Sequence, residues 1–433
     1  MIVEKLVIEN FAGLKHIEIE LKKINILIGP QASGKSVIAK ILFYCKGLID
    51  DIFTQGINLK DKRQLDREIK YKFEKYFPLR SLGNEDFLIR YCIGEEYIEI
   101  KAVSTHSMRK VLIDYSNFYK NSFYAIEKIA KKIRTNMDEI SEFEISNKML
   151  SRMNMIVESK KIFLDEISKK MGQECSFDQL FIPAGRSFFA YLQNSIFSLI
   201  SENSNIDPFL VEFGEYYENA KNFVRVKNRT EDSSEFFKID IDSIDSIKNR
   251  VLLGTYTRVD DQDYLAMNDG REVQLSNCSS GQQEALPLIV ILESILFFNR
   301  GFTGQSVYIE EPEAHLFPTS QKDIVDLIAT VYNFRKERMQ FFITTHSPYI
   351  LTSFNNLLQA GILAEDDPNN VNQITKIIPK NRFLNGDDIA VYSLSDGTCH
   401  NIIDSETGLI DAEIIDSVSE DLAVQFDRLL EIE

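Results

Sequence analysis

Lys35 and Ser36 close the run Gly29-Pro30-Gln31-Ala32-Ser33-Gly34-Lys35-Ser36, whose spacing reads as a cradle for phosphate. In such a cradle a glycine-rich turn aims backbone N–H groups at phosphate oxygens, a lysine reaches the terminal phosphates and a hydroxyl ligates Mg²⁺. Gly29, Gln31, Ser33, Gly34, Lys35, Ser36 and Val37 form the expected nucleotide-binding set, with Ser36 also a metal ligand. The elements that must position them flank the turn. Ile24 to Ile28 is an apolar run that predicts a buried strand, and Val37 to Cys45 predicts a helix, which gives the strand–loop–helix order that the motif requires.

Two further strand ends carry the remaining chemistry. Ser306 to Ile309 is a short apolar run that ends in Glu310 and Glu311. Phosphoryl transfer divides its labour between two such acids: Glu310 is expected at the metal and Glu311 beside the attacking water. Glutamate at 310 reaches one methylene further than aspartate would, so its hold on an octahedral Mg²⁺ is expected to run through water. Phe341 to Thr345 predicts a second apolar strand, which delivers His346 to its tip as a sensor of the γ-phosphate. The expected catalytic residues are thus Lys35, Glu311 and His346, the cofactors ATP and Mg²⁺, and the reaction ATP hydrolysis. Between these motifs, Ser279-Ser280-Gly281-Gln282 precedes a predicted helix over 282–298; taken alone, serine and glycine there are ordinary N-cap chemistry.

In order and type these motifs resemble the soluble ABC-type ATPases of the SMC and RecF class, and most of all the ATPase part of the overcoming-lysogenisation-defect (OLD) nucleases and their stand-alone relatives. The resemblance is carried by Leu6 to Phe11, Asn25, Ile309 to Leu316 and Thr344 to Pro348, and covers roughly residues 1 to 50 and 250 to 355. It implies an α/β P-loop NTPase of ABC type, a two-lobed mixed sheet with helices and an inserted helical subdomain. It also implies a homodimer or higher homo-oligomer, in which Ser279, Ser280, Gly281 and Gln282 act as a signature loop on the nucleotide of a second subunit, and Ala314 to Leu316 lie on a loop that meets the partner. Stand-alone relatives in bacterial anti-phage pairs, such as the PARIS and Septu systems, scaffold and restrain a separate Toprim-type or HNH-type effector. A nuclease partner is the corresponding expectation, and a RecF-like ATPase that clamps DNA in repair is the alternative. The 87 residues after His346 are too few for a fused Toprim module, and Glu406, Asp411, Glu413 and Asp416 read as a solvated acidic face.

Composition sets the wider limits. The chain has 433 residues, 44% of them hydrophobic, no Trp, and five cysteines without metal-ligand spacing, which points to a reducing cytoplasm. No apolar run approaches the ~20 residues that cross a bilayer. A net charge of −17 argues against a surface that binds nucleic acid everywhere. The basic, aromatic stretch from Lys60 to Arg80 is the local exception, and its interleaved acids favour a solvated amphipathic helix.

Along the chain, the expected division is an N-terminal lobe with the P-loop over 1–110, a helical insertion over 111–250, a C-terminal lobe over 251–375, and a hairpin with an acidic helix over 376–433. Ile126, Ile129, Ile133, Met137 and Ile140, then Met149, Met153, Ile156, Phe163, Ile167 and Met171, follow helical spacing and predict two helices as a short stalk or dimer surface. Leu180 to Ile182 predicts a strand turning at Pro183, with Arg186 either a charged contact or a cap on local carbonyls. Lys221 to Ser246 reads as exposed helix ends and loops. Asn268-Asp269-Gly270 predicts a hairpin turn.

Overall fold

The computed structural model describes residues 2–58, 62–83, 85–104, 109–138, 145–192, 206–227, 241–259, 261–298, 304–411, 423–430 and 432. Strands β1 (Glu4–Phe11) and β2 (Leu14–Leu21) alternate buried and exposed positions, whereas β3 (Ile24–Ile28) is buried at every one. A strand apolar on both faces is stable only inside a sheet covered on both sides. The structure supplies that cover: Ile24, Ile26 and Ile28 belong to one hydrophobic core and Leu27 to another.

Among the described residues, eleven strands form the main sheet. The others are β4 (Leu88–Ile93), β5 (Glu96–Ser104), β6 (Arg109–Tyr115), β7 (Asp178–Ile182), β11 (Gln305–Glu310), β12 (Met339–Thr345), β13 (Ile389–Ser395) and β14 (Thr398–Asn401). Their order is β6-β5-β4-β1-β2-β14-β13-β3-β12-β11-β7. The strands from β6 to β2 are antiparallel neighbours, while β13, β3, β12, β11 and β7 are parallel neighbours. A separate antiparallel sheet of β8 (Gly254–Val259), β9 (Gln262–Met267) and β10 (Glu272–Gln274) contains the predicted hairpin.

Helix α1 (Lys35–Ile57) packs one face of the parallel block, and α2 (Lys62–Tyr76) and α3 (Asn117–Asp138) pack on α1. Helix α4 (Ile145–Met171) adds to α3, so the predicted helical pair forms. Ile126, Ile133, Phe163, Ile167 and Met171 are buried there, but Met153 is 56% exposed. The side chains of Met137, Ile140 and Met149 lie outside the described residues. The short helix α5 (Phe188–Leu192) follows β7, and α6 (Pro208–Lys227) and α7 (Ile241–Leu252) lead to the small sheet. The other face of the parallel block is covered by α8 (Ser280–Phe298), α9 (Pro318–Phe334) and α10 (Pro348–Asp366).

One expectation changes, that for Lys221, and two gain detail. Phe73, Tyr76 and Phe77, read among the basic residues of 60–80, are core side chains, and Lys72 is paired with Asp51; Lys60 and Asp61 lie outside the described residues. Lys221, read as part of an exposed stretch, is buried against Glu218 and Asp263, because α6 continues through it to Lys227; 228–240 lie outside the described residues. The tail hairpin forms as β13 and β14, and it lies inside the main sheet, where β13 is the direct neighbour of β3. Glu413 and Asp416 lie outside the described residues. Among the described residues no helix is long and apolar enough to cross a membrane.

Candidate active site

Register brings the motifs together. Ile28 at the end of β3 pairs with Thr345 at the end of β12, and Thr344 pairs with Glu310 at the end of β11. Since neighbouring strands lie about 4.8 Å apart, the loops after β3, β12 and β11 emerge side by side at the carboxyl edge of a parallel sheet.

The first loop is built around glycines. Gly34 has φ +93° and caps α1, and a Cβ there would come within 2.4 Å of the Leu14 side chain. A Cβ on Gly29 would lie 2.4 Å from the carbonyl oxygen of Leu394 on β13. Lys35 opens α1 and turns back into the loop, donating to the carbonyls of Gly29 and Pro30 at 2.8 Å each and to Ser33 Oγ at 3.3 Å. Burial lowers its pKa to about 8, against the opposing pull of the Glu311 and Glu313 carboxylates.

His346 joins the lysine to the acidic pair. Its Nδ1 lies 3.3 Å from Lys35 Nζ and its Nε2 3.2 Å from Glu311 Oε1. An ammonium can only donate, so Nδ1 is the acceptor and the ring carries its proton on Nε2, directed at Glu311. Glu311 itself sits at φ +44°, a left-handed conformation uncommon for glutamate, with its N–H donating to Thr344 O at 2.9 Å. Glu313 fixes the other side of the histidine: its Oε1 accepts from the backbone N–H of His346 at 2.7 Å and from Thr345 Oγ1 at 2.8 Å.

Glu310 is buried, its Oε2 accepts from the Ala184 N–H at 3.1 Å, and its Oε1 has no partner among the described residues. Glu313 Oε2 and Thr344 Oγ1 are likewise buried without a partner among them. Buried polar atoms are ordinarily paired, so these orphaned oxygens fit a site that receives a hydrated cation. Beneath them Arg186 is fully buried. It donates to the carbonyls of Pro183, Glu284, Glu310 and Glu311, which makes it a clamp on local carbonyls and not a surface contact.

The 279–282 loop lies elsewhere. Ser279 and Gln282 form a capping box at the start of α8: Ser279 Oγ accepts from the Gln282 N–H at 3.4 Å, and Gln282 Oε1 accepts from the Ser279 N–H at 3.0 Å. The ordinary cap chemistry that the sequence allowed for is therefore present. Gly281 is pressed against the following loop, and a Cβ there would lie 2.7 Å from the His315 carbonyl oxygen. Leu253, Arg271, Ser279, Gly281, His315 and Phe317 line an open groove of about 550 Å³, and no residue of 29–37 lines it. Leu253 and Phe317 are 65% and 73% exposed.

The family model described as an AAA ATPase domain matches residues 1–351. The chain belongs to this family. Among solved structures, this ATPase domain is similar to the SMC head bound to the C-winged helix domain of ScpA, at 14% identity over 92% of this chain and 96% of that one, with a TM-score of 0.39. A second is the Smc head domain with an extended coiled coil, bound to the C-terminal domain of ScpA, from Pyrococcus furiosus, at 13% identity over 97% and 99% of the two chains with a TM-score of 0.38. A third is the recombination mediator protein RecF in the RecFOR pathway, at 11% identity over 92% and 98%, TM-score 0.30. No curated protein matches the sequence.

In this AAA ATPase domain the P-loop, the acidic pair and His346 come together as the spacing predicted, while 279–282 stand apart from them. Asn25 is structural: at the start of β3 its side chain bonds both backbone groups of Lys22 and the carbonyl of Phe341, at the strand end remote from the P-loop. Glu284 was missed. Its carboxylate accepts from the N–H groups of Arg186 and Ser187 at 2.9 and 3.0 Å, a pairing across about a hundred residues that no local motif signals.

Proposed function

We propose that this ATPase binds ATP with Mg²⁺ at the P-loop and hydrolyses it in a site that a second copy of the chain completes. The run Lys35–His346–Glu311 across three adjacent strand ends carries the reading. The residues fit the nucleotide: Lys35 is held by carbonyls and a hydroxyl, and can exchange them for phosphate oxygens. The backbone of Gly29 to Val37 would cradle the phosphates, and Ser36 with Glu310 would hold the metal, whose charge offsets that building on the phosphate oxygens.

Glu311 Oε1 acts as the base that orients water and takes its proton. His346 keeps that carboxylate aimed through Nε2–H and ties it to the lysine through Nδ1, so that the acid and the cation move as one unit. The backbone bond from His346 to Glu313 holds the ring in place.

The separation of the 279–282 loop from the P-loop within one chain supports its use in trans. A first turn of α8 rich in small residues offers backbone N–H groups and a positive dipole end to a γ-phosphate of the partner. The same reading makes the protein a cytoplasmic, ATP-gated homodimer that scaffolds or restrains a separate effector, a nuclease, in bacterial anti-phage defence. Support for the effector comes from the motif resemblance, together with a net charge of −17, which disfavours a general nucleic-acid surface.

Mixing variants tests the composite site. Lys35→Ala and Gly281→Asp chains should each be inactive alone, and their mixed dimer should regain part of the ATPase activity, because one site then has an intact P-loop and an intact signature. Subunit exchange, shown by tagged pull-down, without any recovery of hydrolysis would count against the trans arrangement or show that both sites must be intact.

A further inference from the structure

The first turns of α8 and the acidic pair are joined by a buried ion pair. Arg186 and Glu284 are both buried, at 0% and 2% exposure. Arg186 Nη1 donates to Glu310 O at 2.7 Å and Nη2 to Glu311 O at 3.0 Å, so one guanidinium holds the carbonyls of both catalytic-loop acids. The second of these belongs to a residue in the left-handed region, φ +44°, whose side-chain direction depends on that backbone being held. Arg186 Nε donates to the Glu284 carbonyl at 3.1 Å, and Glu284 returns the contact through both carboxylate oxygens, to the N–H groups of Arg186 and Ser187. Glu284 stands three residues after Gly281, on the same stretch of helix that the capping box of Ser279 and Gln282 opens.

We infer that Arg186 and Glu284 are positioning residues that couple the signature turn to Glu311 of the same chain, and so couple the two nucleotides of a dimer. This rests on the trans reading above. The signature turn faces the partner's nucleotide, and Glu311 faces the chain's own. A shift of the first turn of α8 carries the Glu284 carbonyl and carboxylate with it. Among the described residues no other carboxylate lies within salt-bridge distance of the buried arginine, so it follows, and the 310–311 carbonyls follow the arginine. A buried charged pair is costly to separate, which makes the link stiff enough to transmit sub-ångström displacement. Hydrolysis in one site is then accelerated by closure over the other.

Glu284→Asp tests this with the buried charge kept and the carboxylate withdrawn by one methylene; Arg186→Lys keeps the charge and removes the fork that spans two carbonyls. Both variants should bind a non-hydrolysable ATP analogue within about twofold of the parent. In both, kcat should fall on the order of tenfold to a hundredfold, as a misplaced carboxylate requires, and the Hill coefficient for ATP should drop to 1. A drop in melting temperature with kcat and Hill coefficient unchanged would mark the pair as mere core support and overturn the inference. So would a parental Hill coefficient of 1, or variants whose only loss is nucleotide affinity. If one variant fails to fold, the other decides. The mixed-dimer experiment separates the two levels: recovery there with unaltered kinetics here sinks only the coupling, whereas no recovery there together with unaltered kinetics here sinks the trans site itself.

Discussion

Lys35 spends its hydrogen bonds on neutral oxygens and an imidazole, and its desolvated ammonium has a pKa near 8. Phosphate oxygens would favour the charged form and raise that value, so nucleotide binding draws a proton onto the lysine. The sign follows: affinity is at its full value below pH 8 and falls as pH rises above 8, by up to about tenfold per unit until the bound-state pKa is reached. Calorimetry of an ATP analogue at pH 7 and pH 9.5, in buffers of different ionisation enthalpy, should show weaker binding at the higher pH and proton uptake near pH 8. Equal affinity at both would show that the lysine does not face phosphate. At this scale the sequence was informative wherever chemistry sits in a contiguous motif. Glu311 and His346 directly follow strands and Lys35 opens the helix after a third, so each could be read from the apolar run before its loop. The pairing of Glu284 with Arg186 could not, because a helix-face glutamate and a turn arginine become partners only once β7 and α8 pack. Nor was it legible that Glu313 secures His346, since that bond exists only across two adjacent strand tips.

Elements bring the site together through register and close approach. The path of the P-loop depends on Gly34, whose φ of +93° lies outside the range a side chain tolerates and whose Cβ position is taken by Leu14 of β2. Gly34→Ala should destabilise the protein by ~1–3 kcal/mol and abolish nucleotide binding, because Leu14 and the loop cannot keep their places together. Melting curves and analogue binding check both effects. Adding Leu14→Ala frees the space but not the dihedral, so binding should stay lost; full recovery in the double variant would show that sterics alone set the loop. The predicted strands at 24–28, 306–309 and 341–345 and the helix after Ser279 all formed, because apolar length and flanking turn residues report local structure well. Their order across the sheet is different in kind. Nothing in the tail's spacing signals that 389–395 pairs with 24–28, because parallel partners distant in sequence share no local pattern.

For the molecule as a whole, that pairing has a consequence in time. The P-loop strand has two neighbours, β12 and β13, both more than 300 residues further along the chain. The carbonyl of Leu394 packs against the first glycine of the phosphate loop. A ribosome therefore releases the ATP-binding strand more than 300 residues before its second wall, and long-range parallel pairing closes slowly because the chain must pay the loop entropy beforehand. Stalled chains that expose residues only up to 385 should contain the whole P-loop, both acids and His346, yet fail to protect a photoreactive ATP analogue. Chains that expose residues through 405 should label. Labelling of the shorter chains would show that β13 is dispensable to the cradle. On this account the nascent polypeptide carries its nucleotide motif through more than 300 residues of further synthesis without being able to use it, and ATP is first held once β13 has emerged.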